Sequence, residues 1–277
     1  MIKKNIPLII GKLIQFKSVF APKSAIKDAF DIFCTPRKGK AKPNHNAFFE
    51  TSIEEKHNIE GHSISTYHWK GKGDTVFLLH GWESNSFRWK NLIEKLKELD
   101  FDIIAIDAPA QGNSSGTQLN VLLYTECVNH LLKKYNPSAL IGHSLGGMTS
   151  VFYQFKHKNP SIEKIVALGP PSELKLVIKG FQHTLGFSDK FINKFENYIY
   201  KRFNFKPIDF SIAKFAKELN TKGLLILDKF DELAPYKYSK RIAENWKNCN
   251  LITVENIGHS LQNKSIDNHI VNFLKEG

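Results

Sequence analysis

The segment SALIGHSLGG, residues 138–147, decides the predicted fold of this chain of 277 residues. It begins with a short apolar run that predicts a buried strand, and GGMTSVFYQFKHK, which starts inside it, predicts a helix. Ser144 stands between them in the pattern Gly-x-Ser-x-Gly. A strand that turns sharply into a helix leaves such a hydroxyl exposed, and the helix N-terminus offers partial positive charge to a developing oxyanion. We therefore predict that Ser144 is a nucleophile.

Strand and helix patterns alternate on both sides of this segment. Apolar runs of strand type occur at 75–81, 102–109, 138–144, 164–171, 223–235 and 251–260. Strands without strict polar alternation, each followed by a helix, indicate a parallel sheet that is covered on both faces. Right-handed crossovers gather the C-terminal ends of such strands at one edge. We predict an α/β fold with a mostly parallel sheet flanked by helices.

Two local predictions concern the segments around the first of these strands. The alternating sequence ISTYHWKGKGD, residues 64–74, and its Lys-Gly turn predict a strand and a hairpin. Residues 86–100 have apolar side chains at helical spacing, and we expect Ser84 or Ser86 to be the N-cap of this helix.

A serine hydroxyl needs a base to take its proton, and His259 is the best candidate among the eleven histidines. It follows the last predicted strand, at the edge of the sheet where ligand chemistry gathers. A carboxylate after the preceding strand should orient it, and Asp228, Asp231 and Glu232 are the candidates. We favour Asp231, which begins the turn DELAP, and expect Asp228 to support that turn. The predicted catalytic residues are therefore Ser144, Asp231 and His259.

The oxyanion of a tetrahedral intermediate needs two hydrogen-bond donors. We predict that they are the backbone N–H groups of Leu145, directly after Ser144, and of Trp82, in the loop after the first strand. His80 and His143 lie beside the same turns, and we expect both to be structural.

Two segments fall outside the alternation. Residues 1–45 predict an N-terminal helical extension, and residues 46–277 predict the domain with the parallel sheet and the candidate catalytic residues, with an inserted helical cap at about 172–220. The cap is rich in phenylalanine, and most of these rings are expected in its own core and some in an apolar pocket. Because Lys12 interrupts the apolar residues of MIKKNIPLIIGKLIQF, we expect an amphipathic helix that packs on the body of the protein, with peripheral membrane contact as the alternative.

Composition excludes few classes of function. The formal net charge of +12 permits contact with nucleic acid, anionic lipid or an acidic substrate. No zinc-finger spacing or RNA-binding signature is present, so we expect no nucleic-acid partner. The three cysteines are odd in number and far apart, which argues against a disulfide framework and favours a reducing compartment. The expected location is therefore the cytoplasm, with the membrane periphery as the alternative that the N-terminal helix leaves open.

Five pieces of sequence together resemble the α/β-hydrolase superfamily, from about residue 60 onward. They are HGW (80–82), DAPAQGNSSG (107–116), GHSLGG (142–147), DELAP (231–235) and GHS (258–260). The resemblance implies the fold and the triad, and it implies that Asp107 is structural. It says little about the substrate.

The expected function is that of a serine hydrolase that cleaves a carboxylic ester with an apolar moiety through an acyl-enzyme, with no metal and no cofactor. A first alternative is a thioesterase that acts on an acyl-CoA or a carrier-bound acyl group, for which the basic charge would be suited. A second alternative is a non-enzymatic module of the same fold that binds a small ligand or lipid. The acyl chain length and the oligomeric state are left open.

Overall fold

The computed structural model describes residues 2–276, so Met1 and Gly277, the outer ends of the predicted ranges 1–45 and 46–277, lie outside the described residues. The chain divides into two compact units. The first contains the chain up to Thr35 together with Glu173–Ser211, and the second contains Pro36–Ser172 and the chain from Ile212 onward.

The second unit is built on a sheet of eight strands within residues 2–276. These are β1 (Ile53–Ile59), β2 (His62–Trp69), β3 (Thr75–Leu79), β4 (Asp102–Ile106), β5 (Ala139–His143), β6 (Lys164–Leu168), β7 (Lys222–Asp228) and β8 (Cys249–Val254). Their spatial order is β1-β2-β4-β3-β5-β6-β7-β8. β2 is antiparallel to both β1 and β4, and every other neighbouring pair is parallel. The predicted fold class, a mostly parallel sheet flanked by helices, is confirmed.

Eleven α-helices occur in the part of the chain that the structure describes. They are α1 (Ile2–Phe20), α2 (Pro22–Cys34), α3 (Asn46–Phe49), α4 (Lys90–Glu98), α5 (Val121–Tyr135), α6 (Leu145–His157), α7 (Leu174–Leu185), α8 (Asp189–Phe203), α9 (Ile212–Phe215), α10 (Tyr236–Asn245) and α11 (Lys264–Lys275). Helices α1, α2, α7 and α8 lie in the first unit. Among residues 2–276, none of the helices combines the length and the apolar character that a membrane crossing requires.

The central strands are buried on both faces, which explains why their sequences are continuous apolar runs. Every side chain of β5 is buried, and so are all those of β3, β4 and β6 except the first residue of each. Because β3, β5, β6, β7 and β8 run parallel, the loops that follow them emerge at the same edge of the sheet. This edge receives the loops after β5, β7 and β8, which carry the predicted catalytic residues.

Of the two local predictions near β3, the strand (β2) and the helix (α4) are confirmed, whereas the position of the hairpin and the N-cap residue are wrong. The hairpin turn lies at Glu60 and Gly61, between β1 and β2, and not after residue 69. Both turn residues have positive φ angles, 51° and 74°, as tight hairpins require. β1 escaped prediction because most of its side chains are exposed at the edge of the sheet.

The N-cap prediction is wrong because Asn85 is the cap and the Ser86 side chain bonds to Asp107. Asn85 caps the 3-10 turn Ser86–Trp89 that precedes α4, since its side-chain oxygen accepts a hydrogen bond from Phe87 N at 3.0 Å. The Ser86 hydroxyl donates instead to Asp107 Oδ1 at 2.7 Å.

In the first unit, α1 packs against α7 through one face. A Cβ atom at Gly11 would lie 1.7 Å from the carbonyl oxygen of Leu185, so only glycine permits this approach. Gln15 secures the contact, because its Oε1 accepts from Ser188 N at 2.7 Å and its Nε2 donates to Gly186 O at 3.2 Å. The amphipathic helix is therefore fastened to the inserted helices.

The core of the first unit combines rings from segments far apart in sequence. Phe33 of α2 contacts Phe181 of α7 and Phe195 of α8, with centroids 5.0 Å and 5.6 Å away. Phe30 of α2 packs against Phe203 at 5.9 Å. The phenylalanines of the insertion thus share one core with those of the N-terminal helices.

We expect Gly11→Ala to lower the free energy of unfolding by about 1–3 kcal/mol, because the added methyl must push α1 away from α7. Hydrogen exchange of the α1 amides should become faster. Gly180→Ala is the matched control: apart from its chain neighbours and the adjacent backbone of α7, no heavy atom of the described residues lies within 4 Å of a Cβ at this position. That variant should gain up to about 1 kcal/mol from helix propensity. Equal protection of α1 in both variants would contradict the close contact.

Candidate active site

Ser144 occupies a strained turn between β5 and α6. Its φ and ψ angles are 52° and −117°, a left-handed conformation that costs a residue with a side chain about 1–3 kcal/mol. The main chain holds it on both sides: Ser144 N donates to Leu168 O at 2.8 Å, and Met148 N donates to Ser144 O at 2.9 Å. The turn is therefore held by β6 on one side and by α6 on the other.

The glycines of the motif are explained by close backbone approaches. A Cβ atom at Gly142 would lie 2.4 Å from Gly146 O, and a Cβ at Gly146 would lie 2.2 Å from Leu79 O. Backbone atoms cannot yield as a flexible side chain can. The two glycines of the Gly-x-Ser-x-Gly pattern are therefore required by the close contacts of β5 with α6 and of α6 with β3.

The structure brings the three predicted catalytic residues into one line of hydrogen bonds. His259 Nε2 lies 2.9 Å from Ser144 Oγ, and His259 Nδ1 lies 2.7 Å from Asp231 Oδ2. The Asp231 side chain is buried, with 1% exposed, whereas 19% of His259 is exposed. The second carboxylate oxygen of Asp231 accepts from Leu233 N at 2.8 Å and from Ala234 N at 2.9 Å. These bonds fix the carboxylate, and the carboxylate in turn orients the imidazole.

Asp228 ties the loop of Asp231 to the loop of His259. Its Oδ1 accepts from Phe230 N at 2.7 Å, and its Oδ2 accepts from Ile257 N at 2.6 Å and Gly258 N at 2.9 Å. Burial alone would raise the pKa of Asp228, but these backbone hydrogen bonds outweigh it and hold the pKa below its ordinary value. Asp228 thus supports the turn, as expected from the sequence.

Arg88 and His143 form a second brace behind His259. Arg88 Nη1 donates to His143 Nδ1 at 2.6 Å, and Nη2 donates to Ser260 O at 2.9 Å. Since Nδ1 accepts, Nε2 carries the proton of the His143 ring and donates to His259 O at 2.8 Å. Burial and the neighbouring Arg88 charge hold the pKa of His143 well below its ordinary value, so the ring stays neutral. The sequence offered no signal for Arg88, which reads as one charge in a helical segment.

His80 and Asp107 organise the loops after β3 and β4. The buried His80 ring accepts from Ala108 N at 2.9 Å and donates to Gly81 O at 2.8 Å. The buried Asp107 carboxylate accepts from Ser86 N at 2.8 Å and from Asn113 N at 2.8 Å. Its oxygens are thus occupied by loop groups.

The predicted oxyanion donors lie on two segments that meet at Ser144. Leu145 is the first residue of α6, where the backbone N–H has no intrahelical partner. A Cβ atom at Gly81 would lie 2.9 Å from Ser144 Cβ, so the loop that carries Trp82 passes beside the serine. The oxyanion role of Trp82 and Leu145 stays a prediction.

Comparison with known families agrees with this architecture. Residues 74–203 match a family model described as alpha/beta hydrolase fold, and residues 208–277 match one described as TAP-like protein. The chain belongs to the α/β-hydrolase superfamily. A solved structure of this fold, an esterase from Exiguobacterium antarcticum, superposes with a TM-score of 0.64 at 16% identity and covers 81% of this chain and 100% of that chain. At this identity the likeness concerns the fold alone.

Two curated relatives share part of this α/β-hydrolase chain. Pimeloyl-acyl carrier protein methyl ester esterase of Vibrio vulnificus strain CMCP6 is 32% identical over 104 residues, which are 36% of this chain and 39% of that protein. Monoglyceride lipase of Rattus norvegicus is 30% identical over 106 residues, which are 34% of this chain and 35% of that protein. The match therefore spans well under half of each relative.

We expect Asp228→Asn to lower the free energy of unfolding by about 1–3 kcal/mol at neutral pH, because an amide cannot accept all three backbone hydrogen bonds. A carboxyl with a depressed folded pKa stabilises the fold above its unfolded pKa, and that stabilisation is lost as the pH falls through the folded pKa. The gap between wild type and variant in urea unfolding should therefore close below about pH 4. Asp74→Asn, at an exposed site, should change stability by less than about 0.5 kcal/mol. A gap that stayed constant down to acid pH would refute the assignment.

Proposed function

We propose that the protein is a serine hydrolase that cleaves carboxylic esters with an apolar moiety. The observation that carries this proposal is the line of two hydrogen bonds, 2.9 Å and 2.7 Å long, that joins Ser144 Oγ to His259 and His259 to Asp231. Nucleophile, base and orienting carboxylate are within hydrogen-bond reach of each other, as acyl transfer to serine requires.

The proposed reaction has two steps. Ser144 Oγ attacks the ester carbonyl carbon while His259 Nε2 takes the hydroxyl proton, and the tetrahedral intermediate then collapses. The alcohol leaves with that proton, and the acyl group remains on Ser144. Water attacks the acyl-enzyme with His259 again as the base, which releases the carboxylic acid and restores the serine. Asp231 stabilises the imidazolium in both steps and keeps the Nδ1 proton in place.

Backbone N–H groups would stabilise the oxyanion of each intermediate. Leu145 N–H lies at the positive end of the α6 dipole, and the loop of Trp82 approaches the same serine. A fixed pair of backbone donors needs no reorganisation when charge develops on the carbonyl oxygen. This arrangement supports acyl chemistry in preference to a purely binding role.

Exposed apolar side chains near the catalytic loops support an apolar substrate. Phe230 and Leu233, on either side of Asp231, are 62% and 74% exposed, and Trp82 is 37% exposed. The names of the two curated relatives denote enzymes that act on a methyl ester and on a monoglyceride. Both names denote enzymes that hydrolyse esters, which agrees with the proposed ester hydrolysis.

Fluorophosphonate labelling followed by intact mass tests the proposal directly. Wild type should gain one adduct, because His259 activates the Ser144 hydroxyl, and Ser144→Ala should gain none. Ester turnover by Ser144→Ala should fall by about 10⁴- to 10⁶-fold. Ser260→Ala removes an exposed hydroxyl beside His259 and should label like wild type.

The absence of an adduct on folded wild type would contradict the hydrolase proposal. The non-enzymatic module for a ligand or lipid would then be the better explanation. An adduct that persisted in Ser144→Ala would place the reactive serine elsewhere in the chain.

A basic cleft in the second unit favours one other candidate, the thioesterase that acts on a phosphate-bearing acyl carrier. Its volume is about 780 Å³, and Lys38, Lys40, Lys42, Lys90 and Arg88 line it together with a single acid, Glu83. Arg88 also binds the Ser260 carbonyl, so the cleft lies beside the loop of His259. An excess of cations there would suit the phosphates of coenzyme A or of a carrier arm.

The double variant Lys38→Gln, Lys42→Gln separates the two candidates. If the cleft holds phosphates, kcat/KM for an acyl-CoA should fall roughly 5- to 20-fold at low salt, and the loss should shrink at high salt. Hydrolysis of the matching simple ester should be unchanged. Lys56→Gln with Lys70→Gln, two exposed lysines outside the cleft, is the control for net charge. Equal acyl-CoA rates in wild type and both double variants would eliminate the thioesterase candidate.

A further inference from the structure

Helix α1 carries an exposed apolar stripe along most of its length. Ile9, Leu13, Phe16 and Phe20 are 54%, 63%, 69% and 77% exposed. Their spacing of four, three and four residues puts them on one face of the helix. The rings of Phe16 and Phe20 meet edge to face with centroids 5.5 Å apart, so the stripe is a continuous surface.

The stripe lies opposite the face through which α1 is held. Gly11 and Ile14 are buried, and Gly11 and Gln15 hold the helix against α7 and the start of α8. At 100° per residue, Leu13 and Phe20 point away from this side of the helix. Packing within the first unit therefore accounts for one face of α1 and leaves the other without an explanation.

The exposure is concentrated on α1. Of the sixteen large hydrophobic residues exposed among residues 5–276, whose side chains the structure describes, seven belong to this one helix: Ile6, Leu8, Ile9, Leu13, Phe16, Val19 and Phe20. Single exposed apolar residues are ordinary on a protein surface, but a contiguous patch marks an interaction site. α1 thus has the surface of a docking element.

The positive charge of α1 favours an anionic lipid surface as its partner. The sequence of α1 contains four lysines and no acidic residue. Lys12 and Lys17 are exposed on either side of the stripe, where long side chains can extend from an apolar surface to phosphates. Lys17 also pairs with Asp28 at 2.6 Å. A second copy of this helix would bring lysines against lysines, whereas an anionic lipid headgroup complements them.

We propose that α1 docks the protein in the plane of an anionic lipid bilayer. The stripe from Ile9 to Phe20 enters the boundary between headgroups and acyl chains, and the flanking lysines contact the phosphates. The opposite face keeps its contacts with α7, so the inserted helices stay joined to the membrane-bound helix. None of the residues of the stripe takes part in the proposed chemistry at Ser144.

Flotation of the full chain with vesicles tests this proposal. Wild type should float with vesicles made of equal parts phosphatidylcholine and phosphatidylglycerol, and more weakly with phosphatidylcholine alone. Leu13→Ser with Phe16→Ser should lower partition about 100-fold, because two inserted side chains are lost. Lys12→Gln should lower partition onto the anionic vesicles about fivefold. Ile208→Ser, which removes another exposed apolar side chain of the first unit, should float like wild type.

Two readouts keep the test independent of folding and of catalysis. The altered side chains at 13 and 16 are exposed, so the double variant should keep the thermal midpoint and the fluorophosphonate adduct of wild type. Ser144→Ala should float like wild type whether or not the hydrolase proposal holds.

Three results would overturn the proposal. The first is wild type that stays at the bottom of the gradient with both vesicles. The second is a double variant that floats as well as wild type. The third is a wild-type dimer in light scattering that becomes monomeric in the double variant while neither binds vesicles, which would assign the stripe to a second copy of the chain.

Discussion

The close approach of three backbone segments at the end of β5 is the constraint on which the rest of the site depends. Gly142 and Gly146 allow β5, α6 and β3 to touch without side chains between them. Ser144 is thereby forced into a left-handed conformation, which costs about 1–3 kcal/mol, and hydrogen bonds to Leu168 and Met148 help to offset this cost. Because the main chain fixes the serine on both sides, the sheet itself sets where the hydroxyl points.

Buried carboxylates then organise the loops around this fixed point. Asp107, Asp228 and Asp231 each accept at least two hydrogen bonds from backbone N–H groups. In Asp231 these bonds use one oxygen, and the other oxygen contacts His259. Asp228, the last residue of β7, and Asp231, in the loop that follows, are both buried aspartates, and they differ in the groups that reach each carboxylate. Arg88 and His143 add a brace to the His259 main chain that involves neither aspartate.

The first unit shows how two distant segments can form one structure. Neither the N-terminal helices nor the insertion has a complete core alone, because Phe30 and Phe33 of α2 pack among Phe181, Phe195 and Phe203. Gly11 and Gln15 attach α1 to the inserted helices through contacts with Leu185 and Gly186. The shared aromatic core fills the interior of the first unit, and α1 still has an exposed apolar face. A helix that is apolar on two opposite faces has two surfaces to bury, and its own unit covers only one of them.

The sequence by itself determined the alternation of strands and helices, the turn at Ser144 and the order of the serine, aspartate and histidine loops. Apolar runs and glycine positions act on their neighbours in the chain, and the crossover rule then brings the strand ends to one edge. Tertiary structure alone decided the exposed edge strand β1, the cap at Asn85, the brace of Arg88 and the shared core of the first unit. Each of these depends on contacts or exposure that the fold creates between distant segments. A local sequence pattern does not show which distant residues a side chain will contact. Identical side chains therefore adopt different roles, because the rest of the chain sets their burial and hydrogen bonding.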